Sequence, residues 1–201
     1  MKHLIETADL SSLGIAEYDR LILDSSKNEI VYRGGVTYEY VDLGLSVKWA
    51  KCNVGAEKET DAGLYFAWGE TTGYTASQVG TDKQFSWSDY KYGNSSSNLT
   101  KYNQSDGKTV LESADDAPSQ IMGSDWRMPT NAEIQELLDN TDYEWFTNYN
   151  GSGVNGTKFT SKTNGNSIFI PAAGGCSDGS VFVVGNGGYR CGGRSVRGVR
   201  K

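Results

Sequence analysis

Histidine, cysteine and proline are scarce in this chain, with one, three and three residues among 201. The one histidine, His3, lies near the beginning, so a Ser–His or Cys–His nucleophilic site in the core is excluded. Three scattered cysteines without histidine cannot supply the four ligands of a zinc site. Three reduced thiols are favoured, and a Cys176–Cys191 disulfide is the alternative. The sequence therefore predicts a protein that is not an enzyme.

An excess of positive charge and long apolar runs are also lacking. The net charge is −6, which argues against nucleic acid as a partner. No run approaches the ~20 apolar residues that a membrane span needs, so membrane insertion is not expected. The first residues include Glu6 and Asp9 where a signal peptide needs an apolar stretch, so no signal peptide is visible in this chain.

Glycine and aromatic residues are abundant, with 25 Gly, 12 Tyr and 5 Trp. Glycine permits tight turns with positive φ, and disordered chains are poor in aromatic residues. This composition predicts a folded, loop-rich protein with short strands.

The clearest local signal begins at Thr130. Thr130 and Glu133 have the spacing of a capping box, in which the hydroxyl accepts from a helix amide and the carboxylate from the cap amide. The apolar residues that follow at helical spacing are Ile134, Leu137 and Leu138. A helix with this apolar face is predicted.

The segment Trp126–Met128, just before that helix, reads as a short strand that ends at Pro129. A tryptophan at this position, in a domain with few aliphatic residues, is expected to fill the gap between helix and sheet. Arg127 is expected to pair with a nearby acid. Both residues are therefore assigned to stability.

The remaining pattern gives an α+β domain. Residues 1–36 are interpreted as an N-terminal hairpin or docking segment with strands at 20–24 and 29–33, and residues 37–201 as the main domain. Further strands are predicted within 38–50, 64–70, 167–171 and 195–199, and a second helix from about Asp115 to Met122. Residues 71–110 are expected to form a long decorated loop.

Two groups of carboxylates have alternative interpretations. Asp115 and Asp116 could ligate calcium, but capping a helix is the favoured role. Glu70 could be a buried acid, although a carboxylate at a sheet edge is the plainer interpretation. No other cofactor or metal is expected.

Six phrases, taken together and in this order, resemble the Fibrobacter major paralogous domain family. They are YVDLGLSVKWAKCNVGA (40–56), YFAWGE (65–70), LESADDA (111–117), WRMPTNAEIQELL (126–138), GVNGTKFTSKTNGNSIFIPAAG (153–174) and GRSVRGVR (193–200). The resemblance covers residues 38–201. It implies a C-type lectin-like fold of the formylglycine-generating-enzyme-type superfamily, with small twisted antiparallel sheets, two short helices and long irregular loops.

Relatives in this family display ligand-binding surfaces on cells or phage tails, and some are variable proteins of diversity-generating retroelements. The resemblance thus implies an adhesin or receptor-binding protein on the extracellular surface or virion, with a protein or glycan as its ligand. Two departures stand out. The stretch between 174 and 193 is shorter than in relatives, and Cys191 lacks the second nearby cysteine with which the enzyme branch holds copper.

The predicted ligand-binding surface is the Gly- and Ser-rich segment 176–192, because such loops supply adaptable hydrogen bonds and rigid aromatic contacts. Its candidate residues are Ser177, Asp178, Ser180, Phe182, Val184, Asn186, Tyr189 and Arg190. Strand alternation also allows Phe182 and Val184 to face the core. The alternative function is structural assembly, with residues 1–36 forming a homo-oligomer.

Overall fold

The computed structural model describes residues 20–24, 29–33, 38–182 and 193–201. The chain divides into two compact units, Met1–Thr37 and Tyr38–Lys201. In the first unit, strands β1 (Arg20–Asp24) and β2 (Glu29–Arg33) pair antiparallel, with Arg20 opposite Arg33. These are the two strands that the sequence predicted.

The second unit is mixed α+β, with small antiparallel sheets and, in the described part, two short α-helices. Its helices are α1 (Ala117–Ile121) and α2 (Asn131–Asn140). Its strands are β3 (Tyr40–Val41), β4 (Lys48–Ala50), β5 (Tyr65–Phe66), β6 (Gly93–Ser95), β7 (Asn98–Leu99), β8 (Trp126–Arg127), β9 (Thr141–Phe146), β10 (Gly156–Ser161), β11 (Ser167–Pro171), β12 (Gly175–Ser177), β13 (Ser180–Phe182), β14 (Gly193–Ser195) and β15 (Val199–Arg200).

These strands form four sheets with the orders β3-β4-β15-β8, β13-β12-β14-β5, β11-β10-β9 and β6-β7. The first two sheets join strands that are far apart in the sequence, because β15 inserts between β4 and β8 and β14 between β12 and β5. Among the described residues, no helix has the length and apolar content to cross a membrane.

Helix α2 begins as predicted. The Thr130 hydroxyl accepts from the Glu133 amide, and the Glu133 carboxylate accepts from the Thr130 amide at 2.8 Å. The predicted apolar face is only partly correct, because Leu137 is 3 % exposed whereas Ile134 and Leu138 are 42 % and 38 % exposed. One line of the helix meets the core, and the residues beside that line remain accessible.

Helix α1 is shorter than predicted. A 3₁₀ turn at Ser113–Asp115 precedes it, and Asp116 is its N-cap, accepting from the Ser119 amide at 2.9 Å. Pro118 lies in the first turn, where its missing N–H costs no helical hydrogen bond. The capping interpretation is confirmed for Asp116.

Three clusters of buried side chains form the core. The Trp49 cluster contains Leu43, Val47, Trp49, Leu137, Phe159, Ile168 and Val199. The Phe66 cluster contains Val54, Phe66, Ala117 and Val196. The Phe85 cluster contains Tyr65, Ala67, Phe85 and Cys176. Phe85 comes from the segment that the sequence interpreted as a decorated loop, so that segment contributes to the core.

The single C-terminal strand predicted at 195–199 is wrong, since the chain leaves one sheet after Ser195 and enters another at Val199. Arg197 lies where the chain passes from the first of these sheets to the second. Its buried guanidinium donates to Asn53 Oδ1 at 2.9 Å and to the carbonyl oxygens of Ala50 and Lys51 at 3.1 and 2.6 Å. Burial lowers the pKa of Arg197 to about 10.

Candidate functional site

Four of the predicted ligand-binding residues lie together on one hairpin. Strands β12 and β13 carry Ser177, Ser180 and Phe182, and Asp178 and Gly179 form the turn with φ values of 47° and 73°. Two consecutive positive φ angles are typical of a tight type I′ hairpin turn. The other four candidates, which lie outside the described residues, are Val184, Asn186, Tyr189 and Arg190.

The register of this hairpin determines which residues face the core. Cys176 lies opposite Val181, and both contribute to the Phe85 cluster. Because side chains alternate along a strand, Phe182 lies on the other face, where it is half-buried. Val181, and not Phe182, is therefore the residue of β13 that packs against the Phe85 cluster. Cys176 is a buried free thiol.

The hairpin turn packs against the loop of residues 78–90, which lies much earlier in the sequence. The Gly179 amide donates to the Gln84 carbonyl oxygen at 2.7 Å, and the Gln84 side chain donates to the Gly80 carbonyl oxygen at 2.8 Å. A Cβ at Gly80 would lie 2.4 Å from the Gly179 oxygen, so this approach requires glycine. One continuous surface thus includes the hairpin and residues 78–90.

A buried ion pair fixes residues 78–90 on the domain. Lys83 Nζ lies 2.8 Å from Glu70 Oε2, and the two residues are 6 % and 8 % exposed. Lys83 also donates to the Asp89 carbonyl oxygen at 2.6 Å, and Glu70 accepts from the Lys91 amide at 2.9 Å. The interpretation of Glu70 as a sheet-edge carboxylate is wrong, because the 83–91 segment covers it.

Five aromatic side chains beside this loop contact one another in sequence, edge to face. Their ring centroids are 5.8 Å apart for Trp87–Tyr90, 6.2 Å for Tyr90–Tyr92, 5.7 Å for Tyr92–Tyr102 and 6.4 Å for Tyr102–Trp68. We call this group the aromatic chain. Tyr92 near its middle is 9 % exposed, whereas Trp68 at its end is 48 % exposed.

Asp115 anchors the middle of the aromatic chain. Its carboxylate accepts from the hydroxyls of Tyr92 and Tyr102, the latter at 2.8 Å, and from Lys101 and Lys91 Nζ at 2.5 and 3.3 Å. Burial by itself would raise the pKa of Asp115, but the hydrogen bonds from Lys101, Tyr92 and Tyr102 hold that pKa well below its ordinary value. Asp115 is therefore an ionised carboxylate that fixes two rings.

The sequence allowed a calcium site at Asp115 and Asp116, and the structure shows which groups contact their carboxylate oxygens. Both oxygens of Asp116 accept from backbone amides, those of Ser119 and Met128, at 2.9 and 2.8 Å. Each carboxylate oxygen of the pair thus has a protein donor. The described residues contain no group of three or more His, Cys, Asp or Glu that could hold a metal ion.

Two tyrosines hold Trp68: Tyr90 contacts its backbone and Tyr102 its ring. The Tyr90 hydroxyl donates to the Trp68 carbonyl oxygen at 2.9 Å, and burial raises the pKa of Tyr90 to about 12. Next to Trp68, Gly69 has φ of +75°, and a Cβ there would lie 2.9 Å from the Tyr92 ring. Glycine therefore allows the rings of the aromatic chain to pack on the backbone beside the exposed indole.

The sequence analysis missed the aromatic chain because four of its five members lie in the segment 71–110, which has no helix or strand periodicity. Tyrosines and tryptophans recur there at short spacing, interleaved with Lys91 and Lys101. Both lysines lie over rings, Lys91 at 4.6 Å from the Tyr92 centroid and Lys101 at 5.0 Å from that of Tyr102. That alternation of aromatic and cationic residues was the available signal.

A separate open groove of about 570 Å³ lies at the C-terminal end of the second unit. Its lining includes Arg200, whose guanidinium lies 5.3 Å from the Tyr40 ring and 5.4 Å from the Trp126 ring. Arg200 pairs with Asp125 at 3.3 Å. Because Arg200 is engaged with Asp125 and with these two rings, we interpret this groove as part of the framework.

The predicted structural roles of Trp126 and Arg127 agree with this geometry. Trp126 is 4 % exposed, and its carbonyl oxygen accepts from the Ser119 hydroxyl at 2.7 Å, which ties β8 to α1. Arg127 pairs with Glu133 at 2.5 Å, as the prediction of a nearby acid required.

Comparison of the chain with protein-family models, with curated proteins and with solved structures gives no match. The case for a function consequently depends on the geometry of the site.

Proposed function

We propose that the second unit is a non-enzymatic ligand-recognition module with a C-type lectin-like fold. The binding surface is formed by the exposed end of the aromatic chain at Trp68 and by the hairpin residues Ser177, Asp178, Ser180 and Phe182. The observation that carries this proposal is that Trp68 is 48 % exposed although its backbone and ring are both held by tyrosines.

An exposed tryptophan that is already fixed is suited to binding. Tryptophan and tyrosine dominate the energy of many interfaces, and a side chain ordered before binding loses little entropy when a ligand arrives. Ser177, Asp178 and Ser180 add polar groups that can adapt to a ligand. Rigid aromatic and adaptable polar residues together are typical of recognition surfaces.

The resemblance to the Fibrobacter major paralogous domain family supports the same proposal. A framework of small antiparallel sheets and two short helices, with long loops between them, is compatible with a C-type lectin-like fold. The implied partner is a protein or glycan on a cell surface, and the implied location is the extracellular surface or a virion.

Glycan and protein arrays probed with the full chain test the proposal. Any ligand found is then measured against Trp68→Ala and Trp145→Ala, since both tryptophans are 48 % exposed but only Trp68 belongs to the aromatic chain. We expect Trp68→Ala to weaken binding by about tenfold or more and Trp145→Ala to leave it unchanged. A ligand that binds equally well to Trp68→Ala and to a variant with alanine at Ser177, Asp178 and Ser180 would rule out this surface.

Assembly through the N-terminal segment is the second candidate. The observation that favours it is the β1–β2 sheet of two five-residue strands in a unit of its own, because a lone two-stranded hairpin is marginally stable in water. Mass in solution distinguishes the candidates. A dimer or trimer that is lost when residues 1–36 are removed favours assembly, and an unchanged monomer counts against it.

A further inference from the structure

Strand β9 forms one edge of its three-stranded sheet. Its register with β10 is regular from Thr141 opposite Ser161 to Phe146 opposite Gly156, without a bulge along these six residues. Within the described ranges, the backbone of residues 142–146 makes no hydrogen bond to any segment other than β10. Alternate N–H and C=O groups of β9 therefore point away from β10, and no strand of the described ranges lies beside them.

The four exposed side chains of β9 are of two kinds. Tyr143 and Trp145, which are 62 % and 48 % exposed, lie on one face. Asp142 and Glu144 alternate with them on the other face and are also exposed. Natural proteins commonly protect an edge strand with charged side chains, especially lysine, or with proline or a bulge. β9 has no lysine, proline or bulge; its charged residues are both acidic, and it also presents two large aromatic side chains.

Tyr143 and Trp145 lie on the same face of the sheet as the side chains that pack in the core. Tyr143 lies opposite Phe159, a member of the Trp49 cluster, with ring centroids 6.0 Å apart. A strand added to β9 would therefore place its apolar side chains next to Tyr143 and Trp145, since residues directly opposite each other share a face.

The acidic face indicates the charge of such a strand. On the β10 side, Lys158 lies opposite Glu144, and Lys162 Nζ is 4.0 Å from Asp142.

A second copy of this chain would fit poorly at β9, because a two-fold axis would place the acidic face of one β9 beside the acidic face of the other. Like charges directly opposite each other destabilise a strand pair. The side of β9 that faces away from β10 suits a basic strand.

We propose that the edge of β9 binds, by strand addition, an extended segment of a partner protein in which apolar and basic residues alternate. The apolar side chains of the segment pack beside Tyr143 and Trp145. Its lysines or arginines lie opposite Asp142 and Glu144, and its backbone pairs with the outward groups of β9. This site is separate from the aromatic chain and does not depend on the proposed function.

The test uses the full chain and a blocked synthetic peptide, Lys-Val-Lys-Val-Lys-Val-Lys. Two comparison peptides have the same charge: one has the four lysines grouped before the three valines, and the other is N-methylated at its three central residues. The protein variants are Asp142→Asn with Glu144→Gln, and, as a control for charge, Glu57→Gln with Asp82→Asn at exposed positions elsewhere. Affinity is measured by calorimetry, and hydrogen exchange locates the bound peptide.

We expect the alternating peptide to bind and to slow exchange at residues 142–146. The grouped and N-methylated peptides, and the β9 variant, should each weaken binding by about tenfold or more, and the control variant by less than about twofold. Equal binding of the N-methylated peptide, or of the β9 variant, would overturn the proposal, as would the absence of binding by the alternating peptide. A concentration-dependent dimer that the β9 variant abolishes would show instead that a second copy occupies this edge.

Discussion

The guanidinium of Arg127 and the carboxylate of Glu133 form a two-pronged ion pair, with Nη2–Oε1 and Nη1–Oε2 distances of 2.5 and 2.8 Å. The same carboxylate accepts from the amide and hydroxyl of Thr130 at the start of α2. One side chain therefore joins the end of β8 to the first turn of the helix. A capping box that also holds an arginine couples the helix to the sheet more firmly than the cap alone.

Glu133→Gln should destabilise the protein by about 1–3 kcal/mol, because the variant weakens the cap and leaves the half-buried Arg127 without its counter-charge. Chemical denaturation at pH 7 measures the change. Asp139→Asn, on an exposed turn of the same helix, is the control and should change the free energy of unfolding by less than about 0.5 kcal/mol. Equal effects of the two substitutions would contradict this role of Glu133.

The pH dependence of stability gives a second test of Glu133. Hydrogen bonds from Arg127 lower its pKa to about 2, from an ordinary value of 4.5. A lowered pKa in the folded state contributes stability that is complete above about pH 4.5 and is lost as the pH falls towards 2. Between these pH values, the free energy of unfolding should fall more steeply for the wild type than for Glu133→Gln. Parallel curves would show that the ion pair adds nothing.

Trp126→Ala should cost about 3–5 kcal/mol, as truncation of a buried tryptophan typically does, and should sharply lower the melting temperature. Ser177→Ala on the exposed hairpin should leave the melting temperature nearly unchanged. Thermal unfolding of the two variants makes the comparison without any ligand. If Trp126→Ala melts like the wild type while ligand binding disappears, the binding site lies on the groove that Trp126 lines and not at Trp68.

Gly69→Ala and Gly107→Ala separate packing from backbone strain. Both glycines have positive φ, +75° and +63°, but a Cβ at Gly69 would lie 2.9 Å from the Tyr92 ring whereas one at Gly107 meets nothing within 4 Å. Gly107→Ala should cost about 1–2 kcal/mol from strain. Gly69→Ala should cost clearly more, because the aromatic chain must shift as well. Equal losses of stability in denaturant would argue against tight packing at Gly69.

Lys83→Met should destabilise the protein by about 3–5 kcal/mol, since it leaves the buried Glu70 without a cation. The double variant Lys83→Met with Glu70→Gln should recover much of that loss, because no unpaired charge remains. Lys51→Met, which breaks an exposed pair with Glu39, is the control and should cost about 1 kcal/mol or less. A double variant no more stable than Lys83→Met would show that the charge of Glu70 is not the cause.

The elements that the sequence predicted well are those specified by neighbouring residues. Thr130 and Glu133 are three residues apart, so the capping box that starts α2 could be identified without knowing the fold. The same holds for a helix cap at Asp115 or Asp116, of which the structure shows Asp116, and for the two strands of the N-terminal hairpin. The predicted apolar face of α2 failed at Ile134 and Leu138 because burial depends on what packs against the helix, which periodicity does not show.

Much less of the candidate site could be predicted from the sequence, because its residues are brought together by the tertiary structure. The sequence indicated the hairpin residues Ser177, Asp178 and Ser180 from composition, but gave no sign that Gly179 would pack against Gln84. It did not assign Trp68 to ligand binding, because the tyrosines that hold Trp68 come from an irregular segment.

The sequence by itself determined the helix caps and the two strands of the N-terminal hairpin, each set by the conformational preferences of a few adjacent residues. Only the tertiary structure decided which distant groups meet. Asp115 receives hydrogen bonds from Lys91, Tyr92, Lys101 and Tyr102, and Glu70 pairs with Lys83. To form these contacts, the intervening loops must close and the charged groups must be desolvated. The energy of the contacts therefore depends on the whole packed domain and not on any short pattern within it.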